Sequence, residues 1–309
     1  MKPYLANRIK LLAALALLLS IAAWLGSATY YFELTSHFRL HYLLLALLCM
    51  VAFVWAKSWK WVAISLLAAG INLPALIPAF LPSAQATDTR ASLRIVMANV
   101  NHSNQHYADF MATALKQKPE LIIVLEATPK WAKALKPLET DYPHTVKLPQ
   151  NSPFGMLLFS KIALDSERVI EFGGGKHPSL LVHMTINNRK LDIVVTHPVP
   201  PINGELFDLR NRQLDDAAAL IARIKGARIL VGDLNTTQWS PYFSALAKRG
   251  ALRNGRNGFG VLPTWPTSLP GLMIPIDHLL VSAEVSVKEL STGDDIGSDH
   301  LPLIAEVMF

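Results

Sequence analysis

The residues most able to do chemistry in this chain sit where apolar runs stop. Arg228-Ile229-Leu230-Val231 reads as a buried strand that ends on Gly232-Asp233-Leu234-Asn235, with Asp233 and Asn235 expected on one face. On its own such an ending is a turn, since Asp and Asn after a strand ordinarily close a loop. The same punctuation recurs, however, at Asn99, Glu126 and His197. It recurs in reverse at Asp277-His278 and Asp299-His300, each of which opens an apolar run. Strands leaving an edge and antiparallel strands entering it can share that edge. Six strand ends would then bring Asn99, Glu126, His197, Asp233, Asn235, Asp277, Asp299 and His300 to one rim. Carboxylates, amides and imidazoles gathered in this way suit a hard divalent cation and proton transfer.

Within that set, Glu126 is the first choice as metal ligand, with Asn99 as a neutral oxygen beside it. Mg2+ prefers few protein ligands and retained waters, and Mn2+ is an alternative. Asn101 is as readily a turn residue as a third ligand. Asp277 and His300 form a carboxylate–imidazole pair, in which the carboxylate sets the tautomer and favours the charged ring. His278 follows Asp277 directly, so strand alternation turns it to the opposite face. His102, His106, His144, His177 and His183 have no partners at informative spacing, and Gly173-Gly174-Gly175 lacks the Lys-Ser/Thr of a phosphate-cradling loop.

The elements needed to position these groups are legible in the same pass. Strands are expected at 93–100, 121–126, 154–160, 180–186, 191–196 and 228–233, with a hairpin turn at Asn187-Asn188, and two more strands open at Asp277 and Asp299. Helices are expected at 106–117, 130–138, 241–248 and along Leu209, Leu214, Ala217, Ile221 and Ile224. Residues 255–271, rich in Gly and Pro, read as a long loop. About 220 residues of this kind make one α+β domain.

With Asn99 in Ala-Asn-Val, Glu126 in Leu-Glu-Ala, His197 in Thr-His-Pro, Arg210 with Gln213, Gly-Asp-Leu-Asn at 232–235, Ile-Asp-His at 276–278 and Gly-Ser-Asp-His at 297–300, the chain resembles the endonuclease/exonuclease/phosphatase superfamily. Each motif is weak alone; the ordered set is not. The resemblance implies a DNase I-like β-sandwich flanked by helices. It also implies that His300 meets the scissile phosphate with Asp277 behind it, that Asp233 orients the attacking water, and that Asn235 steadies phosphate oxygens. Asp299 would join Asn99 and Glu126 at the metal, and Arg210 would contact the phosphate or stand behind it. His197 matches the second phosphate-side histidine of the DNase I and sphingomyelinase branches, which argues against an abasic-site substrate. Ala98 and Leu234 stand where the family often has aromatics; both are packing positions.

Charge and hydropathy divide the chain of 309 residues. Residues 1–85 carry six Lys/Arg against one acidic residue, whereas residues 86–309 carry 23 against 22. A nearly neutral main domain is a poor avid binder of long nucleic acid, whose affinity comes from phosphate neutralisation. Lys248, Arg249, Arg253 and Arg256 form a small basic cluster that could meet anionic headgroups. Uncharged apolar runs at 11–32, 40–56 and 61–82 predict three transmembrane helices within a membrane anchor spanning 1–85. Residues 86–92 then form a linker to a catalytic domain at 93–309. Lys2, Arg8, Lys10, Lys57 and Lys60 place the amino terminus inside and the domain outside a multi-pass inner or cell membrane. The only cysteine, Cys49, lies in the second run, so the outer domain has no disulfide. The expectation is therefore a membrane-anchored, Mg2+-dependent phosphodiesterase or phosphatase acting on a lipid headgroup or small phosphoester. The alternatives are a nuclease and a tethered binding module without turnover. No protein partner is implied.

Overall fold

A computed structural model describes residues 3–82 and 91–309, so most of the expected linker lies outside the described residues. The chain divides into two compact units: residues 1–81 with Trp239–Pro241, and residues 82–238 with 242–309.

In the first unit, helices α1 (Pro3–Trp24), α2 (Tyr30–Ser36), α3 (Arg39–Trp55) and α4 (Trp59–Leu76) are followed by a 3-10 turn at Ile77–Phe80. Small residues face inward: Ala13, Ala16, Ala46 and Ala68 are fully buried, while Leu11, Leu18, Leu48 and Trp55 point out. Small side chains at these contacts let the helices approach one another closely. Asn72 Nδ2 donates to Ser20 Oγ at 2.7 Å across the bundle.

The helix boundaries correct the expected spans. Among the described residues two helical segments, Pro3–Trp24 and Trp59–Phe80, are long and apolar enough to cross a membrane, and three segments are if α2 and α3, bent by 64°, count as one. The first helix begins well before residue 11 because Lys and Arg tolerate helical backbone; hydropathy marks the apolar stretch, not where the helix begins. It stops at Trp24, and Thr29 starts a new helix by accepting from Phe32 N at 3.2 Å.

The second unit is built on two six-stranded sheets. One has the order β11-β12-β1-β2-β4-β3 and the other β5-β6-β7-β8-β10-β9. The strands of the first sheet are β1 (Ser92–Asn99), β2 (Leu121–Leu125), β3 (His144–Leu148), β4 (Met156–Ser160), β11 (Ser286–Thr292) and β12 (Leu303–Met308). Those of the second are β5 (Leu164–Glu171), β6 (Pro178–Ile186), β7 (Arg189–Val195), β8 (Arg228–Asp233), β9 (Arg253–Asn254) and β10 (Asp277–Val281). Asn187 and Asn188 both take positive φ, 50° and 61°, in the β6–β7 hairpin, as a two-residue turn requires.

Alternation sorts the side chains into layers. Leu93, Ile95 and Met97, Leu121, Ile123 and Leu125, Ile193 and Val195, Ile229 and Val231, and Leu279 and Val281 fill the space between the sheets. The outer face of the first sheet packs Val96, Ile122 and Phe159 on α5 (Tyr107–Lys116) and α6 (Pro129–Ala134) through Phe110, Ala114 and Trp131. The outer face of the second packs Val194, Leu230 and Leu280 on α7 (Gly204–Ile221) and α8 (Pro241–Arg249) through Leu214, Ala217, Ile221 and Phe243.

Candidate active site

Four strands extend their inter-sheet rows into the rim. Asn99 continues Ile95 and Met97, His197 continues Ile193 and Val195, Asp233 continues Ile229 and Val231, and Asp277 precedes Leu279 and Val281. The polar residues are therefore the open end of the core itself, and the register enforces it: Asp277 is the direct antiparallel partner of Asp233. Parallel pairing does the same for Asn99 beside Leu125. Gly232 makes the approach of β7 possible. Its φ is 152°, and a Cβ there would lie 1.9 Å from the Thr196 carbonyl oxygen.

Glu126 breaks the alternation. As the residue after Leu125 it should turn to the outer face, but its φ of 60° redirects it into the rim. Asn101 and Asn235 also hold left-handed backbone, at 55° and 48°. Non-glycine residues in this region persist only where their surroundings hold them.

The side chains form one connected network. Asn99 Nδ2 donates to Glu126 Oε1 at 2.9 Å and to Asp233 Oδ2 at 3.1 Å. His300 Nδ1 donates to Asp277 Oδ2 at 2.8 Å, and its Nε2 lies 3.7 Å from Asp233 Oδ2. His197 Nε2 lies 3.5 Å from the same Asp233 oxygen. His197 Nδ1 is buried and bonds nothing among the described residues, so it retains capacity for a ligand.

Burial opposes charge on His300, but Asp277 and Asp233 outweigh it and push the imidazole up to about 10. For His197 the same contest, burial against Asp233, also ends in a raised value. Asp277 is held below the usual carboxylate range because His300 overcomes the cost of burial. Both imidazoles are thus disposed to carry charge toward an anion. Asp233, Asp277 and His300 offer ligand atoms within 4.8 Å of one another, a group able to hold a metal ion. Asn99 Nδ2 already bridges two carboxylates, the position a small cation would take, so the donor chemistry around it fits a hard divalent ion.

Several expected roles are altered. Asn99 presents its amide nitrogen to the carboxylates while its carbonyl oxygen accepts from Asn101 N at 3.0 Å. Serving as a metal ligand would require its carboxamide to turn over. Asn235 lies past the end of β8 at Asp233, in left-handed backbone. Its Nδ2 donates to Pro198 O at 3.0 Å and its N to Asp233 Oδ1 at 2.9 Å. Arg210 is fully buried and donates to Asn235 O at 2.8 Å, bracing the turn that holds Asn235. Gln213 accepts from Val199 N at 2.9 Å and so ties down the loop after His197. Asp299 accepts from Asn101 Nδ2 at 2.8 Å and Trp265 Nε1 at 3.0 Å and stands outside the Asp–Asp–His group.

The basic cluster disperses: Arg256 is buried and donates to the carbonyls of Asp277, Val261 and Leu262, and Arg249 pairs with Asp215. His278 faces the α8 layer, 2.8 Å from Thr236 O and beside Phe243.

Sequence reasoning passed over three contributors. His102 bonds Glu126, Trp265 bonds Asp299, and Phe154 stacks on His177 at 3.7 Å while lying 5.6 Å from His197. Only the adjacency of His102 to Asn99-Val100-Asn101 could have signalled any of them.

A sequence model described as Endonuclease/Exonuclease/phosphatase family matches residues 98–300. No curated protein matches the sequence. Among solved structures, TDP2 of D. rerio complexed with a single-strand DNA product superposes with a TM-score of 0.60 at 17% identity, covering 71% of this chain and 99% of that one. Sphingomyelinase C from Streptomyces griseocarneus gives 0.54 at 16% identity, covering 70% and 99%. A beta toxin variant from Staphylococcus aureus with bound magnesium ions gives 0.54 at 17%, covering 69% and 99%. At these identities the likeness is one of fold.

Proposed function

This chain belongs to the Endonuclease/Exonuclease/phosphatase family, whose members hydrolyse phosphoesters, and from that premise we propose that it is a membrane-anchored, Mg2+-dependent phosphodiesterase or phosphatase. Residues 1–85 act as the anchor, and the domain at 93–309 works outside the membrane on a lipid headgroup or another small phosphoester.

The observation that carries the reading is the placement of His300 between Asp277 and Asp233, with Asn99 linking Asp233 to Glu126. Asp233 accepts a proton from a water lined up opposite the leaving group; as that water bonds to phosphorus, the bond to the leaving oxygen breaks, and this oxygen departs on the far side and takes a proton from solvent. The His300 imidazolium, oriented by Asp277, donates to a non-bridging phosphate oxygen as charge develops. His197 donates from the other side. Glu126, with Asn99 once its carboxamide is turned over, would hold the cation, which would supply charge neutralisation at the phosphoryl oxygens. Near-neutral charge in the domain supports a small or lipid phosphoester over long nucleic acid.

The test is turnover by the full chain in lipid nanodiscs, assayed on simple phosphodiesters, phospholipids and single-stranded DNA. Chelation should abolish the activity and Mg2+ restore it. Turnover indifferent to chelator would defeat the proposal, and a steep salt dependence on DNA alone would favour the nuclease.

A further inference from the structure

Glu126 reaches the rim against the alternation of its strand, so something must hold its carboxylate once the backbone has turned it. Asn99 Nδ2 takes Oε1. The other oxygen, Oε2, receives two donors from a single residue: the backbone N of His102 at 3.1 Å and its ring Nδ1 at 3.0 Å. An ionised carboxylate only accepts, so the ring nitrogen facing it is the one carrying hydrogen.

The side chain of His102 is 41% exposed and that of Glu126 16% exposed, which puts the imidazole on the solvent side of the carboxylate. The loop that presents it is pinned by its own side chains. Asn99 Oδ1 accepts from Asn101 N, Asn101 Oδ1 accepts from Ser103 N at 2.9 Å, and Asn101 Nδ2 holds Asp299.

We propose that His102 is the positioning residue that aims the Glu126 carboxylate at the divalent cation. The inference rests on the reading of Glu126 as a metal ligand. The two donors from His102 occupy both lone pairs of Oε2, which fixes the carboxylate plane and leaves the free lone pair of Oε1, beside Asn99, to face the cation. An exposed histidine–carboxylate pair adds little to folding, because solvent screens it. Its effect is therefore on metal affinity, where partners behind a ligand are commonly worth 10- to 100-fold.

The experiment titrates the full-length protein in detergent with Mn2+, reading free ion by electron paramagnetic resonance and Mg2+ by competition. Metal-free melting is recorded in parallel. In His102→Ala the backbone donor remains and only the ring is lost. Mn2+ binding should weaken roughly 10- to 100-fold, with the metal-free melting midpoint close to wild type. His102→Asn, whose Nδ2 lies near the position of Nδ1, should recover most of the affinity. If Glu126→Gln weakens binding while His102→Ala does not, the positioning role is overturned and the metal reading stands. If His102→Asn fails to recover the loss, a donated hydrogen bond is not what matters, and the proposal also falls. If wild type binds no Mn2+, or Glu126→Gln binds as tightly as wild type, the reading of Glu126 as metal ligand fails and takes this inference with it.

Discussion

Asp277 and Asp233 are register partners on antiparallel strands, and one imidazole reaches both: His300 Nδ1 is 2.8 Å from Asp277 Oδ2, and its Nε2 is 3.7 Å from Asp233 Oδ2. Two carboxylates side by side repel, and a buried imidazolium between them relieves that repulsion at both. The strand pairing that builds the sheet therefore also sets the protonation state of the site.

That arrangement makes the three residues a unit. Asp233→Asn and His300→Ala should each lower kcat by roughly 10²–10⁴, the range usual for a positioned acid or base. Asp277→Asn should resemble His300→Ala in part, and the double variant should lose less than the sum. Steady-state rates on folded variants decide the matter. Strictly additive losses for Asp277 and His300 would mean the pair does not act together.

Glu126→Gln should behave differently from all of these. Its deficit should appear as a higher Mg2+ concentration for half-maximal rate, with much of the activity recovered at saturating metal. An unchanged Mg2+ titration would remove Glu126 from the cation's surroundings.

Gly232→Ala should be among the most damaging small changes in the domain. The added methyl would meet the Thr196 carbonyl oxygen at 1.9 Å, at a φ of 152° that side chains rarely adopt. Separating β7 from β8 would displace His197 and Asp233 together. The expected cost is on the order of 2–3 kcal/mol, visible as a lowered melting midpoint. A variant as stable as wild type would mean β7 is not held as described.

His278 predicts an acid weakness. Burial, aided by Arg256, pushes its imidazole down to about 3. The unfolded chain, with histidine near its ordinary 6.5, binds one more proton between those values, so stability falls as pH drops from about 6.5 towards 3. The slope from this group is about 1.4 kcal/mol per pH unit. His278→Gln removes the ionisable ring, so its melting midpoint should fall less steeply than wild type across that window. Parallel curves would show that His278 does not titrate there.

The proposed topology is tested by reporters fused after Gln85. A reporter active only outside the cytoplasm should give signal, and a cytoplasm-only reporter should not. The opposite pattern would put the domain inside and overturn the positive-inside argument.

What the sequence determined by itself is the interior of each sheet. β1, β2, β4, β6, β7, β8, β10 and β12 are all legible, because strands covered on both faces need continuous apolar runs. Their polar ends were legible too, since a row of core side chains that stops on Asn, His or Asp is a one-dimensional pattern. The strands that sequence reading passed over, β3, β5, β9 and β11, are the four sheet edges. β5 is exposed at almost every position, so no period survives in it.

Only the tertiary structure decided the directions of the polar groups. Glu126 departs from alternation through left-handed backbone, and Asn235 holds such backbone past the end of β8; apolar periodicity encodes neither. Arg210 and Arg256 look like surface cations until the packing around them shows carbonyls to cap. His102 has no partner within its own stretch of chain; its carboxylate arrives from the end of another strand, and contacts of that kind exist only once the sheet has formed.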